Sequence, residues 1–307
     1  MSQNKKIVLI DGQAVLHRAW HALPELTDPQ GRVVNAVYGF TALLLKLIRE
    51  QSPSHLIVAF DTKAPTFRHQ EYKEYKAGRE KQPQKFYDQI DLTKEILESF
   101  NLPYFYQDGF EADDIIGALI KQQKKKFPLS KFLIVTGDLD LCQLIDSQTS
   151  VYFLRQGISQ IKIYQEKEVQ EKFGLKPQQL IDLKALWGDP SDNIKGVEGV
   201  GPKTALNLIK KFKNIENLYQ SLEKKDSPEK LGLKKPLIEK LKKNKKQVFQ
   251  DKRLVTIQQK IPGLKINKIP SLKEIDPEEM IAVLKKFGFQ SLIKRIEKNG
   301  INQAKLF

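Results

Sequence analysis

Acidic residues recur where the apolar runs of this chain end. The runs at residues 6–10, 55–60 and 131–135 are each followed within three residues by an aspartate, and other acids stand before a helical pattern and in the loop at 188–193. The carboxylates in these places are Asp11, Asp61, Glu111, Asp113, Asp114, Asp138, Asp140, Asp189 and Asp192.

These acids predict a metal site when they are considered together. Each one alone could be a helix cap or a turn residue. Several carboxylates in one pocket repel one another unless cations lie among them. Carboxylate oxygens are hard ligands that suit Mg²⁺ or Mn²⁺ rather than zinc. A pocket of this kind indicates two-metal phosphodiester chemistry.

The overall charge points to a polyanionic partner. The 307 residues include 52 basic and 37 acidic ones, a net charge of +15. This surplus favours nucleic acid, with an acidic membrane surface as the weaker alternative. The single cysteine, Cys142, excludes an internal disulfide framework and a cysteine-rich zinc site. No run approaches the ~20 apolar residues of a membrane span, and the short apolar stretch near Met1 predicts a cytosolic protein.

The elements that would position the acids form an α/β pattern. The apolar runs lack alternation and therefore predict buried strands. Helical patterns lie between them, so the sequence predicts βαβ units and a mostly parallel sheet, whose carboxyl edge would gather the acids. A hairpin-like pair follows at 151–154 and 160–164. From about residue 177 the chain becomes lysine-rich and helical, which indicates a second, smaller helical region.

A glycine-rich turn stands before one helix of this second region. Gly199, Val200 and Gly201 precede Pro202 and Lys203. Backbone N–H groups at such a turn and helix start bind phosphate without reading bases. An ordinary packing corner between two helices is the alternative.

The segment at 61–83 is basic and contains aromatic residues. This composition suits a single-stranded nucleic acid, because rings stack on bases and cations follow phosphates. A solvated charged helix is the alternative interpretation. The segment and the residues just after it carry Lys63, Phe67, Arg68, His69, Tyr72, Lys73, Tyr75, Lys76, Arg79, Lys81 and Lys85.

The motifs as a set resemble the 5′ nuclease (flap endonuclease) family, most closely the N-terminal 5′→3′ exonuclease domain of bacterial DNA polymerase I. They cover nearly the whole chain in family order. The matching runs are LIDG (9–12), AVYGF (36–40), FDTKAPTFRH (60–69), EYKAGR (74–79), GFEADD (109–114), TGDLDLCQL (136–144), GDPSDNIKGVEGVGPKTA (188–205) and FGFQSL (287–292).

The resemblance implies an α/β fold with two domains. Residues 1–176 are expected to form a PIN-like, mostly parallel sheet flanked by helices, with a helical arch at about 62–100. Residues 177–307 are expected to form a helical DNA-binding region, with a helix–hairpin–helix (H3TH) motif at about 178–215 and a tail at 299–307. Because nothing resembling a polymerase follows, a stand-alone nuclease is expected.

The resemblance also implies roles for individual residues. Asp11, Asp61, Glu111 and Asp113 would hold the first Mg²⁺, Asp138, Asp140, Asp189 and Asp192 the second, and Asp114 would be an additional carboxylate of the site. Lys76 and Arg79 would stabilise the scissile phosphate, and Arg18 would contact phosphate nearby. The DNA contacts would be His17, Arg68, Tyr75, Gly199, Val200, Gly201, Lys203 and Thr204, with K⁺ bound at the hairpin.

Two further points concern individual positions. Relatives often carry a tyrosine where this chain has His17, and an imidazole can also stack on a base. At the chain end, Gln303, Leu306 and Phe307 match the Gln-x-x-Leu-Phe peptide by which bacterial replication proteins dock on the sliding clamp.

The expected activity is that of a Mg²⁺-dependent 5′→3′ exonuclease and 5′ flap endonuclease, monomeric and cytoplasmic at the nucleoid. Mn²⁺ is expected to substitute for Mg²⁺. DNA with 5′ flaps or ends and RNA-primed DNA are the expected substrates, in primer removal during replication and in repair. The alternatives are a non-catalytic junction-binding homologue and an RNase.

Overall fold

The computed structural model of the chain describes residues 5–224, 232–266 and 269–298. Its centre is a six-stranded sheet of order β3-β2-β1-β4-β5-β6, in which only β6 pairs antiparallel. The predicted mostly parallel α/β sheet is therefore confirmed. The strands are β1 (Lys6–Asp11), β2 (His55–Ala59), β3 (Tyr104–Phe105), β4 (Lys131–Thr136), β5 (Thr149–Gln156) and β6 (Gln160–Tyr164).

The register of the central strands brings their carboxyl ends to one edge. In β1, Ile10 pairs with Val58 of β2 and with Val135 of β4. The apolar residues of β1 are at most 1% exposed from Ile7 to Ile10, because helices cover both faces of the sheet. Acids that follow these three strands therefore meet at a single edge.

Helices surround the sheet and form a separate bundle beyond it. Asp11 caps α1 directly after β1. The helices are α1 (Gly12–Ala22), α2 (Asn35–Gln51), α3 (Phe67–Glu71), α4 (Gln84–Ser99), α5 (Ala112–Lys126), α6 (Glu166–Phe173), α7 (Gln179–Trp187), α8 (Pro202–Phe212), α9 (Ile215–Glu223), α10 (Lys235–Lys243), α11 (Lys245–Val255), α12 (Pro277–Lys286) and α13 (Gln290–Lys298).

The arch is shorter than the sequence predicts. Within the expected span of 62–100, helix α4 packs into the core on one face of the sheet, where Phe86, Ile96 and Leu97 are at most 1% exposed. Burial of this apolar face fixes α4 to the domain. Only residues 62–83, which include the short helix α3, remain to cross the sheet edge where the acids meet.

The predicted division at residue 177 also changes. Helices α7 to α11 share their own apolar core, as expected. The chain then returns to the sheet: Ile257, Ile261, Leu264 and Ile269 contribute to the core beside α5, and α12 and α13 contribute to the core beside α2 and α4. The region expected at 177–307 is thus not one unit, because the apolar faces of its last helices fit the sheet domain.

Candidate active site

Asp11 is held in place at the end of β1 by two hydrogen bonds. Its Oδ1 accepts from the backbone N–H of Ala14 at 2.9 Å, and its Oδ2 accepts from Thr136 Oγ1 at 2.8 Å. The Thr136 hydroxyl also accepts from the backbone N–H of Asp138 at 3.0 Å. Thr136 therefore ties the acids of β1 and β4 together, a role that the sequence motif TGD contains but that we did not predict.

Asp61 and the start of α5 complete a first cluster of acids. Asp61 Oδ1 accepts from the backbone N–H of Ala112 at 2.7 Å, which joins the end of β2 to α5. Burial and then the Glu111 carboxylate raise the pKa of Asp61. Burial and then the Asp11 carboxylate raise the pKa of Asp113. We call Asp11, Asp61, Glu111 and Asp113 the first carboxylate group.

The second carboxylate group consists of Asp138, Asp140, Asp189 and Asp192. One carboxylate oxygen each of Asp140, Asp189 and Asp192 lies within 4.8 Å of the others. Asp138 Oδ1 accepts from the backbone N–H of Asp140 at 2.9 Å, which links the cluster to β4. Burial and then the charge of Asp138 raise the pKa of Asp140 to about 7. Burial is the largest cause that raises the pKa of Asp11, followed by the charges of Asp61 and of Asp138. Because Asp138 belongs to the second group and Asp11 to the first, the two groups lie next to each other.

Lys184 is a site residue that the sequence reasoning missed. Its Nζ donates to Asp189 Oδ2 at 2.6 Å and also contacts Asp140 Oδ1. Burial opposes charge on all three side chains, but the ion pairs raise the pKa of Lys184 and lower that of Asp189. The available signal was the position of Lys184 in the helix directly before the acidic loop.

Three residues of the arch segment contact the carboxylates, and one of them, Tyr75, contacts both groups. Lys76 Nζ donates to Glu111 Oε1 at 2.7 Å, and Arg79 Nη2 donates to Asp192 Oδ1 at 2.5 Å. The Tyr75 hydroxyl donates to Asp192 at 3.0 Å and lies 3.2 Å from Glu111 Oε2. The predicted phosphate-contacting cations therefore lie at the acidic edge, whereas Tyr75, expected to contact DNA, is only 3% exposed.

Arg68 and Asp114 require a correction. The sequence assigned Arg68 to DNA and Asp114 to the metal site, but the two side chains form a bidentate ion pair with distances of 2.6 and 2.9 Å. Arg68 is 3% exposed and Asp114 is fully buried. Neither group is available to an outside ligand in this arrangement.

The other residues predicted to contact nucleic acid near the acids, Arg18 and His17, lie on α1. Arg18 Nη2 donates to the backbone carbonyl of Gly137 at 3.0 Å, so its guanidinium stands beside the loop that carries Asp138. His17 is exposed and makes edge-on ring contacts with His21 and Phe86 at centroid distances of 4.4 and 6.0 Å.

The glycine hairpin has the backbone that its sequence requires. Gly196 and Gly199 have φ angles of 66° and 77°, in the left-handed region. A Cβ on Gly196 would lie 2.4 Å from the backbone N of Gly188, so this turn admits glycine alone. Gly199, Gly201 and Lys203 are exposed and Thr204 is half-buried, whereas the Val200 side chain is 3% exposed and packs in the core of the bundle. Only the backbone of Val200 can face a ligand.

The donor set of the two carboxylate groups fits hard divalent cations. All of the donors are carboxylate oxygens, the ligand type of Mg²⁺ and Mn²⁺. Burial raises the pKa values of Asp11, Asp113 and Asp140, and repulsion from neighbouring carboxylates raises them further. Lys76, Arg79 and Lys184 partly neutralise the negative charge of the carboxylates. Bound divalent cations would neutralise it more completely.

Two predictions concern other parts of the chain. Gln303, Leu306 and Phe307 lie outside the residues that the structure describes. Among the described residues, no helix combines the length and the apolar composition needed to cross a membrane.

Two family descriptions match successive parts of the chain. "5′-3′ exonuclease, N-terminal resolvase-like domain" matches residues 6–174, and "5′-3′ exonuclease, C-terminal SAM fold" matches residues 175–278.

Curated relatives are bacterial DNA polymerases. DNA polymerase I of Bacillus subtilis is 40% identical over 302 residues, which is 98% of this chain and 33% of the polymerase. DNA polymerase I of Mycobacterium tuberculosis is 41% identical over 219 residues, 71% of this chain and 24% of the polymerase. The chain therefore spans at most about a third of the length of these relatives.

Solved structures share the fold. The T5 5′-exonuclease with bound zinc ions has a TM-score of 0.68 at 20% identity, covering 96% of this chain and 98% of that one. The catalytic core of Rad2 in complex with a DNA substrate has a TM-score of 0.54 at 17% identity, covering 93% and 88%. The predicted resemblance is confirmed: this chain belongs to the 5′-3′ exonuclease family and is a nuclease of that type.

Proposed function

We propose that this protein is a Mg²⁺-dependent 5′→3′ exonuclease and structure-specific 5′ flap endonuclease that leaves a 5′-phosphate and a 3′-hydroxyl. The observation that carries the proposal is the cluster of Asp140, Asp189 and Asp192, with Lys76 paired to Glu111 and Arg79 paired to Asp192 beside it. Acids alone would repel a phosphodiester. Acids beside cations can hold metal ions and a polyanion at the same place.

Each carboxylate group would hold one Mg²⁺, and Mn²⁺ would substitute. Bound there, the ions would supply an activated water and neutralise charge on the reacting phosphate and the leaving oxygen. The residues that we assign to them are Asp11, Asp61, Glu111 and Asp113 for one ion and Asp138, Asp140, Asp189 and Asp192 for the other.

When DNA binds, Lys76 and Arg79 would exchange their carboxylate partners for oxygens of the phosphate. Although burial opposes charge on Lys76, the Glu111 carboxylate raises its pKa, so the side chain is an ammonium at neutral pH. Lys76 and Arg79 would donate to the scissile phosphate oxygens, and Arg18 would hold a neighbouring phosphate. We expect Lys76→Ala to slow single-turnover cleavage about 100-fold, measured by rapid quench.

Duplex and single strand would be held on opposite sides of this edge. His17 would stack on a base near the cut and Tyr75, once released from the carboxylates, would contact the strand. The hairpin backbone at Gly199–Gly201, with Lys203 and Thr204, would grip the phosphates of the duplex, with K⁺ bound by its carbonyl groups. DNA with 5′ flaps or ends and RNA-primed DNA are the proposed substrates.

We place this activity in lagging-strand primer removal and in repair, in a monomeric protein of the bacterial cytoplasm at the nucleoid. The family descriptions that match this chain and its 40% identity to a DNA polymerase I support this assignment. The net charge of +15 supports residence on DNA.

A second partner is proposed from the chain end. Gln303, Leu306 and Phe307 would dock in an apolar pocket of the sliding clamp. Deleting residues 302–307 should abolish retention on immobilised clamp. A tail with the same residues in shuffled order should fail to bind as well, because the spacing of the motif is lost. Unchanged retention of the deletion variant would dismiss the partner.

The central experiment is cleavage of a 5′-labelled flap with Mg²⁺ and with chelator. We expect cutting near the junction only with Mg²⁺. Asp113→Ala and Asp138→Ala should abolish cleavage while keeping DNA binding, and Asp91→Ala, which removes an exposed aspartate of α4, should cut normally. Normal cutting by either site variant would refute the assignment.

The remaining outcomes identify the alternatives. Binding of flaps without cutting under any metal condition would indicate a junction-binding homologue. Faster cutting of a structured RNA hairpin than of the DNA flap would indicate an RNase.

A further inference from the structure

The buried pair of Arg68 and Asp114 uses nearly all of its hydrogen-bonding capacity within the protein. Besides the two bonds to Asp114, Arg68 Nε donates to the backbone carbonyl of Leu254 at 2.7 Å and Nη2 donates to that of Thr256 at 3.2 Å. Its guanidinium also lies 4.5 Å from the centre of the Phe67 ring. A contact with DNA would require all of these interactions to break.

Asp114 is equally engaged. Its Oδ1 accepts from the backbone N–H of Gln258 at 2.7 Å, and its Oδ2 accepts from the backbone N–H of Glu111 at 3.1 Å. With the two bonds from Arg68, each carboxylate oxygen has two donors. A metal ion would have to displace them.

The pair joins three parts of the chain that are far apart in sequence. Arg68 lies in α3 at the base of the arch, Asp114 in the first turn of α5, and residues 254–258 lead from the helical bundle back to the sheet. Asp114 follows Asp113 and bonds the backbone of Glu111, so it fixes the turn that presents two members of the first carboxylate group. Arg68 Nη1 is also 3.5 Å from Glu111 Oε2.

We propose that Arg68 and Asp114 are positioning residues, which touch neither metal nor nucleic acid but hold Glu111 and Asp113 in their metal-binding arrangement and anchor the arch to it. Outer residues that orient metal ligands commonly affect metal affinity 10- to 100-fold. This inference rests on the proposed function of the carboxylate groups as metal sites.

The sign of the effect of Arg68→Gln on metal affinity separates the possibilities. If Arg68 acted only through its charge or contacted DNA, removing this cation would leave Mn²⁺ binding unchanged or make it tighter, because a positive charge near the acids would be gone. If Arg68 positions the ligands, Mn²⁺ binding should weaken about tenfold.

The experiment is titration calorimetry of the full chain with Mn²⁺, without DNA, for Arg68→Gln, Asp114→Asn and the double variant. We expect each single variant to bind Mn²⁺ about tenfold more weakly and the double variant to be no weaker than either, because both changes break one unit. DNA affinity measured with chelator should stay within about twofold of the wild type. Multiplying effects in the double variant, or a loss of DNA affinity specific to Arg68→Gln, would overturn the proposal.

A matched control is an ion pair on the surface that also involves α3. Arg253 of α11 pairs with Glu71 of α3 at 2.5 Å, with the arginine side chain 67% exposed. Arg253→Gln removes the same charge from an exposed pair, and we expect unchanged Mn²⁺ affinity.

Two further measurements keep the outcome decisive. If circular dichroism shows that Arg68→Gln does not fold, the variant Arg68→Lys takes its place, because it retains the charge without the bidentate geometry. Weaker Mn²⁺ binding by Arg68→Lys would support the proposal, and wild-type affinity would refute it. Wild-type protein that binds Mn²⁺ but cuts no flap would end the proposed function and leave this test intact.

Discussion

The two carboxylate groups are built in different ways. The first comes entirely from the sheet domain, from the ends of β1 and β2 and the start of α5. The second joins residues after β4 to the loop after α7, so it forms only where the helical bundle meets the sheet. It also contains its own half-buried cation, Lys184, whereas the lysine against the first group comes from the arch.

This difference indicates that the two groups depend on bound metal to different degrees. A group neutralised by a lysine from its own framework keeps its geometry without metal, because charge repulsion is relieved from within. Among the described residues, the first group has no lysine of this kind: Lys76 comes from the arch, and the buried Arg68 is held by Asp114 and lies 3.5 Å from Glu111 Oε2. Its arrangement should therefore depend more on bound metal.

The largest expected effect compares matched amide substitutions in the two groups. Asp61→Asn should lower kcat about 10⁴-fold, because it removes charge from the group with no framework cation. Asp140→Asn should lower kcat about 100-fold, because Lys184 still pairs with Asp189 and keeps the remaining acids of its group in place. Steady-state cleavage of a flap measures both values. Equal losses would contradict the division between the groups.

The second effect is on stability and has a defined sign. Burial raises the pKa of Asp11 and of Asp140 to about 7, above the ordinary value of 3.8. Between pH 4 and pH 7 the folded protein therefore holds protons that the unfolded chain has lost, and stability falls as pH rises. In chelator, the free energy of unfolding should fall by about 5 kcal/mol from pH 5 to pH 8 for Asp11 and Asp140 together, measured with urea.

Controls assign this pH effect to the carboxylates. Mg²⁺ should restore the stability at pH 8, and the double variant Asp11→Asn/Asp140→Asn should show a flatter profile in chelator. His55 acts in the opposite sense, because burial lowers its pKa, so the comparison of variant with wild type is the decisive quantity. A rise in stability with pH that is the same in both proteins would count against the assignment.

The smallest effect concerns the framework cation. Lys184→Met should increase the Mg²⁺ affinity of the second group about tenfold, because a competing charge is removed from Asp140 and Asp189. Mg²⁺ binding is measured by calorimetry with and without Lys184→Met in a protein that also carries Asp61→Asn, because the latter change weakens the first group and leaves the second group to be measured. Weaker Mg²⁺ binding would show that Lys184 positions these acids rather than competing for them.

The catalytic edge was predictable from local sequence. Apolar runs without alternation predicted the central strands, and Asp11, Asp61 and Asp138 follow those strands, so a parallel register alone brings them together. The glycine hairpin was predictable for a similar reason, since Gly196 and Gly199 adopt left-handed backbone angles within a few residues of each other. The strand ends and the glycine hairpin are both determined by residues that are close together in the sequence.

Partners that lie far apart in the chain were not predictable in this way. Arg68 and Asp114 were assigned to DNA and metal because their residue types suit those ligands, whereas the fold pairs them across 46 residues. Lys184 and the return of α12 and α13 to the sheet were missed for the same reason. The sequence by itself determined which residues end the strands and turns; only the tertiary structure decided which charges neutralise one another, because that depends on distances between segments set by packing.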